Sequence, residues 1–197
     1  MILRQSVYQV LIVTASQQFG EQLAQTLHEG PYSPVVIAGS VNEAQRLISE
    51  RSFDIVIVNT PLQDDYGIRF AVDISMSSSS CVALFVRNDM YDTVHSRALD
   101  NGIFVLRKPT SPAIVTQALD WLCTTRERLR YMEKKSVSLQ EKMDEIKLVN
   151  RAKWTLITNL NMSEEAAHRY IEKQAMDTCV SKRVIAENIL RTYKSFK

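Results

Sequence analysis

The chain has 197 residues, 45% of them apolar and 23% charged, a composition that excludes an intrinsically disordered polymer and suits one large or two small globular domains. Charge divides along it: residues 1–125 carry 8 Lys and Arg against 12 Asp and Glu, and residues 126–197 carry 16 against 10. An acidic front and a basic back imply two functions, with a polyanionic partner expected at the back; a solvated helical surface is the plainer account of the same charge.

Residues 9–13 (Gln-Val-Leu-Ile-Val) are a short β-branched run of the kind that fills a central parallel strand. A helix is predicted over 17–29, striped by Phe19, Leu23 and Leu27 and stopped by Gly30-Pro31. Strands over 35–38, 54–58, 82–86 and 103–106 alternate with helices over 42–50, 66–76 and 91–101. Pro112 opens a fifth helix in its first turn. Five strands alternating with five helices argue for a parallel sheet covered on both faces, and about 120 residues fits the flavodoxin-like doubly wound arrangement. Periodicity alone leaves other five-stranded α/β domains open.

Two motifs narrow the choice. Asp54-Ile-Val-Ile-Val-Asn59, followed eight residues later by Gly67, resembles the third-strand motif of bacterial response-regulator receiver domains, and Arg107-Lys108-Pro109 resembles their Lys-Pro signature. The resemblance covers residues 7–123 and implies a phosphoacceptor Asp, an acidic pair for Mg²⁺, a Ser or Thr and a Lys, since a carboxylate must be the nucleophile and hard oxygens must hold the metal. Here the acceptor position is Asn59, the acidic pair falls at Thr14 and Ala15, the Ser/Thr position at Arg87 and the aromatic switch position at Val105. Lys108 alone is retained, free to hydrogen-bond Asn59 or a nearby carbonyl. A pseudo-receiver without metal or cofactor is therefore expected over residues 1–121, used for dimerisation or for docking a sensor or regulatory protein. Asp64 and Asp65 on the following loop are weak substitutes for the acceptor.

From Leu122 a heptad pattern begins. One seam position runs Leu122, Leu129, Ser136, Met143, Asn150, the other Thr125, Met132, Leu139, Ile146. No Gly or Pro follows Ala113, so one helix of more than thirty residues is predicted, with 122–145 a coiled-coil linker joining two copies through Leu122, Leu129, Met132, Leu139, Met143 and Ile146. A helix folded back on its own front domain is the alternative.

Residues 146–160 continue as an amphipathic helix carrying Ile146, Val149, Ala152, Leu156 and Ile157. Ser163 caps a second helix to about Asp177, burying Ala166, Ala167, Tyr170 and Ile171. Ser181 caps a third over 182–194, with Val184, Ile185, Ile189 and Leu190 on its apolar side. Arg151-Ala152-Lys153, the run Ala167-His168-Arg169-Tyr170-Ile171-Glu172-Lys173-Gln174-Ala175-Met176-Asp177 and Arg183-Val184-Ile185-Ala186-Glu187 resemble the ANTAR domain of antitermination regulators. The order of pseudo-receiver, coiled coil and all-α three-helix module (146–197) resembles the amidase-operon type of antiterminator. Trp154 departs from the family, which often has a small residue there, and Cys179 stands in a turn that is commonly basic.

The resemblance implies binding to RNA stem-loops in nascent transcripts as a dimer. Lys153, His168, Arg169, Lys173, Lys182 and Arg183 are the expected phosphate and base contacts. Tyr170 is either a stacking platform or core, and Glu172 is expected to pair with Arg169. A protein-interaction adaptor and a DNA-binding response regulator remain alternatives. No nucleophile–base pair, metal cluster or glycine-rich phosphate loop points to an enzyme. Isolated Cys81, Cys123 and Cys179 read as structural thiols of a reducing compartment. With no signal layout and no apolar run of ~18 residues, a cytoplasmic protein without membrane attachment is expected.

Overall fold

In the computed structural model residues 6–194 are described. They fall into two compact units, one ending at Arg130 and one beginning at Tyr131. The first unit alternates β1 (Tyr8–Thr14), α1 (Gln17–His28), β2 (Tyr32–Ala38), α2 (Val41–Glu50), β3 (Ile55–Asn59), α3 (Ile68–Ser77), β4 (Cys81–Arg87), α4 (Tyr91–Asp100) and β5 (Phe104–Lys108), then enters α5 (Pro112–Leu160). All strand pairs are parallel, in the order β2-β1-β3-β4-β5. This is the flavodoxin-like order predicted from the repeat.

The period of two along each strand sorts the core into two layers. Leu11, Val13, Val56, Val58, Val82 and Leu84 face α2, α3 and α4, while Val10, Ile12, Ile55, Ile57, Ala83 and Phe85 face α1 and the start of α5. Gly67 enters α3 at φ +78°, a left-handed conformation, and a Cβ there would stand 2.9 Å from Val58 Cγ1 and 3.1 Å from Leu62 Cδ1. Gly67→Ala should therefore cost about 1–3 kcal/mol of front-domain stability; an unchanged urea midpoint would contradict this.

Helix α5 corrects one expectation. Leu122, predicted on the coiled-coil seam, is 1% exposed and lies in the sheet's core beside Leu119, and Leu129 packs against the same cluster. The helix keeps its last apolar stripe on its own domain through Leu129, as the folded-back alternative held for this stretch. Asp54, buried at the start of β3, fixes that contact. Its Oδ1 accepts from Arg126 Nε at 2.9 Å, and its Oδ2 from Arg130 Nη2 at 2.8 Å and from the Gln9 N–H at 3.0 Å. From Tyr131 to Asp144 every side chain is exposed.

The second unit takes the rest of α5 together with α6 (Glu164–Asp177) and α7 (Lys182–Lys194). Its core is Val149, Ala152 and Leu156 against Ala167, Ile171 and Ala175 and Ile185, Ala186 and Ile189. Ser163 Oγ accepts from Ala166 N at 3.2 Å and Ser181 Oγ from Val184 N at 3.4 Å, the two predicted caps. Ile146, Ala166, Tyr170 and Val184, expected inside, are exposed instead: a core this small accommodates only one or two positions per turn. Asn161 and Cys179 end α5 and α6 at φ +49° and +52°, the left-handed turn that releases a helix.

Candidate functional site

Two places in the chain carry polar side chains at positions the sequence singled out. The first is the C-terminal edge of the sheet, where doubly wound folds bind ligands. Register puts Thr14 beside Asn59 and Arg87 beside Lys108. Asn59 Nδ2 donates to Thr14 Oγ1 at 3.0 Å, and Lys108 Nζ donates to Asn59 Oδ1 at 2.8 Å and to the Thr60 carbonyl. Thr14 and Asn59 are buried. Ala15 is exposed and contributes no polar atom. Arg87 points to Asp89, with Nη2 2.5 Å from its Oδ2. Burial, and then the positive charge of Arg87, hold the Lys108 ammonium below its usual pKa.

Nothing in this closed chain of hydrogen bonds is a carboxylate. The position where the receiver resemblance implies a carboxylate holds the Asn59 amide, whose oxygen accepts from the Lys108 ammonium. Asp64 and Asp65 are engaged elsewhere: Asp64 accepts from the Val41 and Asn42 N–H groups at the start of α2, at 3.0 and 3.1 Å, and Asp65 from the Gly67 N–H at 2.6 Å. The Val41 donation comes first among the causes that hold the Asp64 carboxyl below the usual range.

The second place is the surface of the three-helix unit. A groove of about 380 Å³ brings together Lys153, His168 and Lys182 with Lys142, Ile146 and Asn150. Glu172 stands between two of these side chains, with Oε1 2.5 Å from Lys182 Nζ and 3.3 Å from His168 Nε2. Lys182 first, then His168, draws its pKa down. Arg169 does not pair with Glu172, as spacing suggested, but with Glu165 one turn earlier, at 2.5 Å. Arg183 pairs with Glu187, and Lys173 is exposed; these two and Arg169 are not among the groove's lining residues. Tyr170 is 40% exposed rather than core. On the other side of Lys153 a further groove, about 440 Å³, is lined by Asn150, Trp154, Ile157 and Met162 among others.

The family model for the ANTAR domain matches residues 138–190. Residues 138–190 are an ANTAR domain. The match takes in α6, α7 as far as Leu190, and α5 from Ser138, so the domain begins within the segment that the heptads mark as linker. Over 184 residues the chain is 29% identical to the transcriptional regulatory protein PdtaR of Mycobacterium tuberculosis, covering 93% of this chain and 89% of that one. The domain in front of the ANTAR domain has the receiver fold. It superposes on the signal receiver domain of an HD domain-containing protein from Pseudomonas fluorescens Pf-5 with a TM-score of 0.57 at 22% identity, covering 66% of this chain and 96% of that one. It also superposes on the chemotaxis response regulator CheY4 of Vibrio cholerae, with a TM-score of 0.52 at 20% identity, over 59% and 99%. No described helix is long and apolar enough to cross a membrane.

Two residues of the ANTAR surface escaped the sequence as site members. Glu172 was given a different partner, because its contact with Lys182 is tertiary. Asn150 stands at a heptad seam position, which by itself points to a partner helix rather than to a ligand.

Proposed function

We propose that the chain regulates transcription by antitermination, binding RNA stem-loops through its ANTAR domain as a dimer, without control by aspartyl phosphorylation. The observation that carries this reading is the ANTAR match over a unit whose exposed cations include Arg169, Lys173 and Arg183 beside a groove holding Lys153, His168 and Lys182. Phosphate contacts from such cations give affinity, and loop bases stacked on exposed planes give selectivity. Most of these cations sit in exposed ion pairs, which exchange for phosphate at little cost.

The Thr14–Asn59–Lys108 network supports a receiver fold without phosphoryl chemistry, so the input is a sensor or regulatory protein docking on the front domain. Met132, Leu139, Met143 and Ile146 are exposed on α5 at seam positions and support pairing of two chains. In this reading the chain is a regulator rather than an enzyme, and nascent transcripts put its activity in the cytoplasm.

A competition experiment tests the reading. At physiological salt an RNA hairpin with an intact loop should displace a bound hairpin far better than duplex DNA of equal charge. Beryllofluoride with millimolar Mg²⁺ should leave the curves unchanged. Equal competition by DNA would sink RNA specificity, and a saturable beryllofluoride response would restore phosphorylation control.

A further inference from the structure

We propose that Trp154 is a stacking platform for one unpaired base of an RNA loop, seated in the groove it forms with Asn150, Lys153, Ile157 and Met162. This rests on the RNA-binding reading above and adds a contact to it. Trp154 is 68% exposed, leaving in water most of a side chain that normally buries ~150–250 Å². It is not a displaced core residue: Ala152 and Leu156, two positions away on either side, are fully buried, and helical geometry turns Trp154 to the opposite face. Asn150 and Arg151 lie one turn behind it on that face and Ile157 one turn ahead.

The groove encloses about 440 Å³, within the ~300–1,000 Å³ of small-ligand sites. Its parts divide as a base needs: the indole and the apolar Ile157 and Met162 for the ring faces, the Asn150 amide for an edge, the Lys153 ammonium for a phosphate. The groove's lining holds one cation, Lys153, and one carboxylate, Glu164, and the charge that selects a polyanion comes from the helix beside it. From Ile146 to Leu160 the helix carries Lys147, Arg151 and Lys153 and no acidic residue. Lys153 is held at 3.1 Å by Glu164; its own side chain is 15% exposed and that of Glu164 77%, so a phosphate reaches the ammonium by displacing Glu164 from the solvent side.

Trp121 and Trp154 are the two tryptophans of the chain, so Trp121→Phe leaves Trp154 as sole reporter in the full-length protein. The probe is an RNA hairpin recovered from a randomised-loop pool by binding to the wild-type chain. Its saturation should quench Trp154 emission. Trp154→Ala should bind it roughly 5- to 150-fold more weakly, the range that ~1–3 kcal/mol of stacking represents, and Trp154→Phe should recover most of the loss. Unchanged affinity in Trp154→Ala overturns the stacking role while leaving RNA binding intact. If the wild-type chain retains no hairpin from the pool, the RNA reading falls and this inference with it. A change of sedimentation mass in Trp154→Ala would assign the ring to a contact between copies and overturn the proposal.

Discussion

Asp54→Ala is expected to lower the thermal midpoint of the front domain by on the order of 10 °C. Its carboxylate is buried and accepts from Arg126, from Arg130 and from the Gln9 backbone N–H. Arg130 is held in addition by Glu127 at 2.7 Å and lies 5.2 Å from the centre of the Tyr8 ring. Removing the carboxylate at the centre of this cluster takes away the charge that both guanidinium groups share, which costs about 3–5 kcal/mol for a fully buried pair and somewhat less at this exposure. The midpoint follows from the entropy of unfolding a domain of this size. Measurement is by calorimetry on the full chain, and a shift under 2 or 3 °C, on the order of 1 kcal/mol, would contradict the role given to Asp54.

The same carboxylate gives the fold a pH signature. Burial pushes its pKa up, but the Gln9 hydrogen bond and the two arginines outweigh burial and hold it below the usual range. A carboxyl depressed in the folded state contributes stability that is fully present above its unfolded pKa, about 4, and is lost as pH falls through the lower folded value. The wild-type advantage over Asp54→Ala should thus be constant from neutrality to about pH 5 and shrink below about pH 4. An advantage that persists unchanged at pH 2 would remove the ion pairs as its source.

Asp54 illustrates what sequence could and could not disclose. The strand it begins was legible because Ile55 to Val58 is apolar on both faces, as a central parallel strand must be. Edge strand β2 was read short, at 35–38 instead of Tyr32–Ala38, because Ser33-Pro34 looks like a break; an edge strand tolerates proline, having no neighbour to receive its missing N–H. Thr14, Asn59 and Lys108 were legible as neighbours, since parallel strand ends align in register, whereas the turn of Arg87 away from Lys108 to Asp89 was not. The arginine partners of Asp54 lie more than seventy residues downstream, on a helix turn whose charges look solvated in one dimension. Leu122 was misplaced because a receiver's last helix and a coiled coil share nearly one apolar period, and only packing separates them. Trp154 was visible as a departure from the family, whereas its exposure emerges only when Ala152 and Leu156 are seen to occupy the core.

That separation sharpens the dimer prediction, which now concerns the exposed part of the seam. Met132 and Leu139 are each 54% exposed, seven residues apart and therefore on one stripe at a 3.5-residue repeat. Replacing both by aspartate should leave each chain folded, because neither side chain is core, yet convert a dimer to a monomer by setting like charges against each other across the seam. Hairpin affinity should fall with it, by on the order of 100-fold if two ANTAR domains engage one RNA at the effective concentration that a short linkage provides. Sedimentation equilibrium and fluorescence anisotropy on one sample separate the outcomes. Loss of the dimer with unchanged affinity would mean that one ANTAR domain suffices for binding. A wild-type chain that sediments as a monomer at micromolar concentration would remove the seam altogether, and with it the route by which the front domain is proposed to act on RNA.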